Sequence, residues 1–127
     1  MLPSDMRLIV TLLLLTFTAP AWAEWVKYWE SVARANYYDP ATMKINGNSR
    51  EVWEVVNSKQ RGREGEMSRR RLWEYDCKEK RRRILVFSWH SETMAEGEVV
   101  FSSDGHDGWR TTANDAASAT LLEIACK

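Results

Sequence analysis

The chain has 127 residues, with 18 Lys and Arg against 18 Asp and Glu, so its formal net charge is zero. That balance argues against a nucleic-acid partner, whose phosphates select a basic surface. Residues 24–127 suffice for one domain and not for two.

The first predicted element is a secretory leader. Leu8 to Ala19 read LIVTLLLLTFTA behind Arg7, followed by Pro20 and then Ala21-Trp22-Ala23, a small-x-small cleavage pattern. Such a run covers only about 18 Å as a helix at 1.5 Å per residue, too short for a bilayer core of roughly 30 Å. Residues 1–23 are therefore expected to be removed, leaving no transmembrane segment and a mature chain starting at Glu24.

The mature chain reads mostly as strand. Trp25 to Glu30 (WVKYWE) suits a first strand, and Tyr37-Tyr38-Asp39-Pro40 a strand end entering a turn. Met43-Lys44-Ile45 alternates briefly before Asn46-Gly47-Asn48, a strong hairpin signal. Glu51 to Asn57 (EVWEVVN) is a strand, and polar Gln60 to Gly65 a mobile loop. Two longer strands follow at Met67 to Cys77 and Arg83 to Thr93, then Glu98 to Ser102. Asp104 to Gly108 (DGHDG) is a turn returning into Trp109-Arg110-Thr111. The C-terminus alone reads as helix: Asn114 or Asp115 can cap it, and Ala117, Leu121, Ile124 and Ala125 recur at helical spacing. Cys126 lies round from that stripe, so the helix either buries a wide face or unwinds before Cys126. The expected class is α+β: an antiparallel sheet of about six strands with one C-terminal helix on one face.

Cys77 and Cys126 both follow the leader, and an oxidising compartment makes a disulfide the expected state of two thiols. Zinc sites cluster Cys and His at short spacings, and no His lies near either cysteine. The bridge would close a loop of about 50 residues, a stabilisation of about 4 kcal/mol on the chain-entropy model.

Charge is distributed unevenly. Lys59 to Arg83 holds 11 basic and 5 acidic residues, whereas Ile84 to Lys127 holds 2 basic and 7 acidic. Arg69-Arg70-Arg71 and Arg81-Arg82-Arg83 would lie on one basic hairpin turning at Lys78 to Lys80. Such a hairpin either keeps the sheet soluble or meets an anionic partner. Six tryptophans after residue 23 are many for a small core. Either the large rings fill that core, or an open aromatic face carrying Trp73 and Trp89 beside the arginines would suit a protein, a glycan, a flat hydrophobic ligand or a second copy of the chain.

In this order the motifs carry a resemblance. Trp25, Tyr37-Tyr38-Asp39-Pro40, the Asn-Gly turn, Val52-Trp53 and Leu72-Trp73-Glu74-Tyr75-Asp76-Cys77 lead into a basic stretch. Ser88 to Met94, Gly97-Glu98-Val99-Val100 and a helix closing at Cys126 complete it. The chain resembles the surface-adhesin protein E family of bacterial envelope proteins. The resemblance implies a six-stranded sheet, a helix tethered by a disulfide, no catalysis, and adhesion to host matrix or plasma proteins, with anionic glycans a further partner class. No cysteine follows the leader to take a lipid anchor, so a periplasmic or secreted protein is expected.

Nothing in the sequence assembles a catalytic site or calls for a cofactor. His90 and His106 fall in no local nucleophile signature. His106 with Asp104 and Asp107 uses turn residues and matches no calcium-loop spacing. The alternative function is a periplasmic carrier or sensor holding a small apolar or haem-like ligand between sheet and helix.

Overall fold

The computed structural model describes residues 24–105 and 108–127, so the leader and the His106–Asp107 pair lie outside the described residues. Eight strands form one curled antiparallel sheet. They are β1 (Val26–Glu30), β2 (Arg34–Tyr38), β3 (Lys44–Asn46), β4 (Ser49–Ser58), β5 (Ser68–Asp76), β6 (Arg81–His90), β7 (Val99–Ser103) and β8 (Arg110–Thr111). Six run side by side in the order β1-β2-β4-β5-β6-β7, while short β3 and β8 pair with β4 and β6. Helix α1 (Ala116–Ala125) closes the chain. The α+β class, the strand number along the main path and the single C-terminal helix match the reading of the sequence.

Local chemistry explains the boundaries. Asn46 pairs with Ser49 across a two-residue turn in which Gly47 takes φ +59°, a conformation glycine adopts without a Cβ penalty. Asp76 ends β5 by accepting from the backbone N–H of Lys78 and Glu79, each at 3.1 Å, and Lys80 at φ 54° completes the reversal into β6. β6 starts two residues earlier than the alternation suggested. Its first residues, Arg81 and Arg82, are drawn into the sheet by pairing with Asp76, Tyr75 and β8. The 60–65 loop is closed by its own hydrogen bonds: Gly62 donates to the Glu66 carbonyl, and Arg61 donates to the carbonyls of Gly65 and Ser91. Irregularities in pairing at Lys27/Trp29, Leu72/Trp73 and Trp89/His90 bend the strands and add to the curl.

Alternation divides the side chains. On one face, Val52, Trp73, Tyr75 and Ile84 meet Leu121, Leu122 and Ala125 of α1, and together they form the core. Asp115 caps the helix by accepting from Ala117 N–H at 3.2 Å. Both alternatives raised for Cys126 hold. The helix buries Ala117, Ser118, Leu121, Leu122 and Ala125, a wide face, and Cys126 is its C-cap with non-helical ψ 13°. There it reaches Cys77, with Cα atoms 5.6 Å apart. Cys77→Ser is expected to cost about 2–5 kcal/mol, as for native disulfides of small secreted domains. Urea denaturation measures this. A loss near zero would show that α1 docks without its tether.

Candidate functional site

At the centre of the helix-bearing face a carboxylate is fully buried. Glu54 on β4 is 0% exposed. It accepts from Trp73 Nε1 at 2.8 Å, from Arg71 Nε and Nη2 at 3.1 and 2.8 Å, from Asn36 Nδ2 at 3.3 Å and from the Tyr28 hydroxyl. Burial pushes this carboxyl's pKa up. The Arg71 charge, the hydrogen bonds from Tyr28 and Trp73 and the Arg82 charge outweigh it, so Glu54 titrates below the ordinary carboxylate value. Burial, then the Glu54 charge, pushes the Tyr28 hydroxyl well up, so it remains a donor.

The six arginines expected on one hairpin surface are split by the period of two. Arg69, Arg71 and Arg82 share the helix-bearing face with Trp73; Arg70, Arg81 and Arg83 take the other. Five of them meet carboxylates: Arg69 with Glu66 at 3.2 Å, Arg71 with Glu54 at 2.8 Å, Arg81 with Asp76 at 3.0 Å, Arg82 with Asp115 at 3.7 Å, and Arg83 with Glu74 at 2.7 Å. Arg70 lies over the Trp53 ring at 3.8 Å. Trp73 is 0% exposed, holding Arg82 at 3.5 Å and Arg71 at 5.0 Å from its ring centroid. Its place is therefore the core and not a contact surface. Arg82 is also buried, and donates to the Tyr75 hydroxyl at 3.3 Å.

Trp89 is placed differently. On the part of the same face that lies beyond the core cluster, Phe101 packs between Phe87 and Trp89 at centroid separations of 5.6 and 5.4 Å. Arg69 covers Trp89 at 4.4 Å. Phe101 is 50% exposed and Val99 57%, both on β7 at the free edge of the sheet. Sequence reading missed Phe101, although its place two residues after Val99 in an apolar strand is the signal that could have marked it.

His90, on β6, is buried. Its Nε2 lies 2.7 Å from Ser88 Oγ, and its Nδ1 is buried without a hydrogen-bond partner. Among the described residues no third group fixes the tautomer that a general base needs. Burial and the nearby Arg70 charge lower its pKa. Among the described residues no group of three or more His, Cys, Asp or Glu could hold a metal ion, and no helix is long and apolar enough to cross a membrane. A cleft of about 660 Å³ lies over the disulfide between Leu122, Ala119 and Thr112.

With this geometry, the comparison with known families is decisive: the model of surface-adhesin protein E matches residues 25–127. The chain belongs to the surface-adhesin protein E family. No curated protein and no solved structure matches it. Membership of surface-adhesin protein E describes an adhesin-like binding protein, in keeping with a sheet that carries an exposed aromatic edge.

Glu54→Gln strands the largely buried Arg71 charge and is expected to cost about 3–5 kcal/mol. Because the folded pKa of Glu54 lies below its unfolded value, the unfolded state binds more protons as pH falls. Stability contributed by Glu54 is complete above the unfolded carboxylate pKa and is lost as pH drops through the folded one. Urea midpoints against pH should therefore fall on the acid side for wild type and be flatter there for Glu54→Gln. Among the arginines, Arg82→Ser should cost about 1.5–3 kcal/mol, as for hydrogen bonds to charged groups. Half-exposed Arg81→Ser should cost less than about 1 kcal/mol. Equal effects on thermal melting would show that burial does not separate the two.

Proposed function

We propose that this member of the family is a non-catalytic, exported binding protein that engages a protein partner through the aromatic–basic surface of β6 and β7. The observation that carries this reading is the stack of Phe87, Phe101 and Trp89 under Arg69, with Phe101 half exposed at an open sheet edge. Large rings desolvate much area at small entropic cost, and an arginine held over one supplies a polar contact beside it; residues of these types dominate binding hot spots. Matrix or plasma proteins are the partner class that the adhesin family suggests, and a periplasmic or secreted location fits the leader. The paired state of most hairpin arginines favours short-range aromatic contact over diffuse attraction to anionic glycans.

A second reading, carriage of a small apolar ligand, has the cleft over the disulfide in its favour. The interior between sheet and helix does not favour it. There Val52, Trp73 and Leu121 are each 0% exposed, packed against one another.

Surface plasmon resonance on immobilised basement-membrane extract and on heparin tests the proposal. Phe101→Ser should weaken attachment to the extract about tenfold or more, since truncating a hot-spot anchor costs roughly 2 kcal/mol. Arg69→Ser should weaken it less, and heparin should retain wild type poorly. Undiminished attachment of Phe101→Ser, or retention on heparin alone, would overturn the assignment of this surface.

A further inference from the structure

On the sheet face opposite the helix, at the end where β5 turns into β6, lies a second cleft of about 270 Å³. Its floor is the end of β5, where Glu74 and Asp76 project away from the core. One wall is the β3–β4 hairpin tip, with Asn46, Asn48 and Ser49; the other is Trp109, on the segment entering β8. The parts are held in place from outside. Cys77 N–H donates to the Asn48 carbonyl at 2.8 Å, so the hairpin tip is hydrogen-bonded to the residue that carries the disulfide. Arg83 Nε and Ser49 Oγ fix Glu74 at 2.7 and 3.1 Å, and Arg81 Nε fixes Asp76 at 3.0 Å. The same two guanidinium groups lie 4.4 and 4.5 Å from the Trp109 ring centroid, so the carboxylates and the indole share one support.

This lining is chemically selective. The side-chain amides of Asn46 and Asn48 are exposed, with no hydrogen bond to another described residue. Each offers a donor and an acceptor. Glu74 accepts two hydrogen bonds out of about four that a carboxylate can take, so it has capacity left for a ligand hydroxyl. Two carboxylates are matched by two arginines, which leaves the cleft neutral: an anion would meet Glu74 and Asp76, a cation Arg81 and Arg83. Planar donor–acceptor groups converging beside an indole suit a neutral ring that bears hydroxyls around its rim and C–H groups on its faces. The volume falls below the roughly 300 Å³ at which drug-sized pockets begin, which suits one ring and not a chain.

We infer that the cleft between Asn46, Asn48, Glu74 and Trp109 binds the terminal sugar unit of an uncharged glycan. The site lies on the opposite sheet face from the aromatic surface proposed for protein contact and does not depend on it. The test is nitrogen-edited NMR on the purified protein, titrated through the millimolar range with the methyl glycosides of glucose, galactose, mannose and N-acetylglucosamine. At least one should shift the Asn46 and Asn48 amide signals and the Trp109 indole N–H saturably. Trp109→Ala should weaken the Asn48 response about tenfold, the worth of one aromatic contact. Asn48→Ala, which keeps the backbone carbonyl bonded to Cys77, should likewise weaken the saturable shift of the Trp109 indole N–H, with melting temperatures held. Phe101→Ser should leave these shifts unchanged, so that this site and the protein-contact surface fail separately. Absence of a saturable shift with all four glycosides, full binding by Trp109→Ala, or tighter binding of glucuronate than of glucose would overturn the inference.

Discussion

Much of this sheet depends on burying one charge. Glu54 sits in the interior of a small domain, where an unpaired carboxylate would be strongly disfavoured. It is tolerated because β1 brings Tyr28, β2 brings Asn36, and β5 brings Arg71 and Trp73 to the same carboxylate. That requirement pins the register of the strands. A slip of one residue would turn Glu54 to the other face, leaving Arg71 and the Trp73 indole without their acceptor. Such a network specifies an arrangement more than it adds net stability, since apolar replacements of whole buried ion pairs are often neutral or better.

The position of the helix follows from the same residues. With Nε1 bonded to Glu54 and its ring between Arg71 and Arg82, Trp73 becomes a rigid platform at 0% exposure, on which Leu121 and Leu122 close the core. Arg82 also lies 3.7 Å from Asp115, the N-cap of α1, so the helix start is tied to the hairpin while the disulfide ties its end. Ten residues of helix cannot cover six strands. The aromatic surface at β7 is what remains outside the core cluster.

Where a property repeats along the chain, the sequence disclosed it. The alternation in β4 and β5, the Asn-Gly turn, the Asp115 cap and the two cysteines each have a local signature, and their elements stand within a residue or two of where that signature puts them. The candidate site was less legible because its residues are defined across strands. Counting Lys59 to Arg83 gives a basic excess. Yet Arg71 is answered by Glu54 on the neighbouring strand and Arg82 by Asp115, more than thirty residues on. No linear count reveals those pairs. Trp73 and Trp89 look equivalent as tryptophans on long strands. Only the position of the helix buries the first and leaves the second beside Phe101.

Charge pairing also constrains how the protein meets a partner. Long-range steering needs a net field, and screening limits even that to about 8–10 Å at physiological ionic strength. Five of the six hairpin arginines have a carboxylate within 4 Å, so little field projects from them. On the proposed reading, association through this sheet depends on short-range desolvation of rings, with arginines acting as fixed donors and as supports beneath aromatic side chains. Arg69 over Trp89 and the Arg81–Arg83 pair at Trp109 repeat one construction on opposite faces: an aromatic ring held by a cation that is itself held by an acid. A ring so braced loses little rotational freedom on binding, which lowers the entropic cost of the contacts it makes.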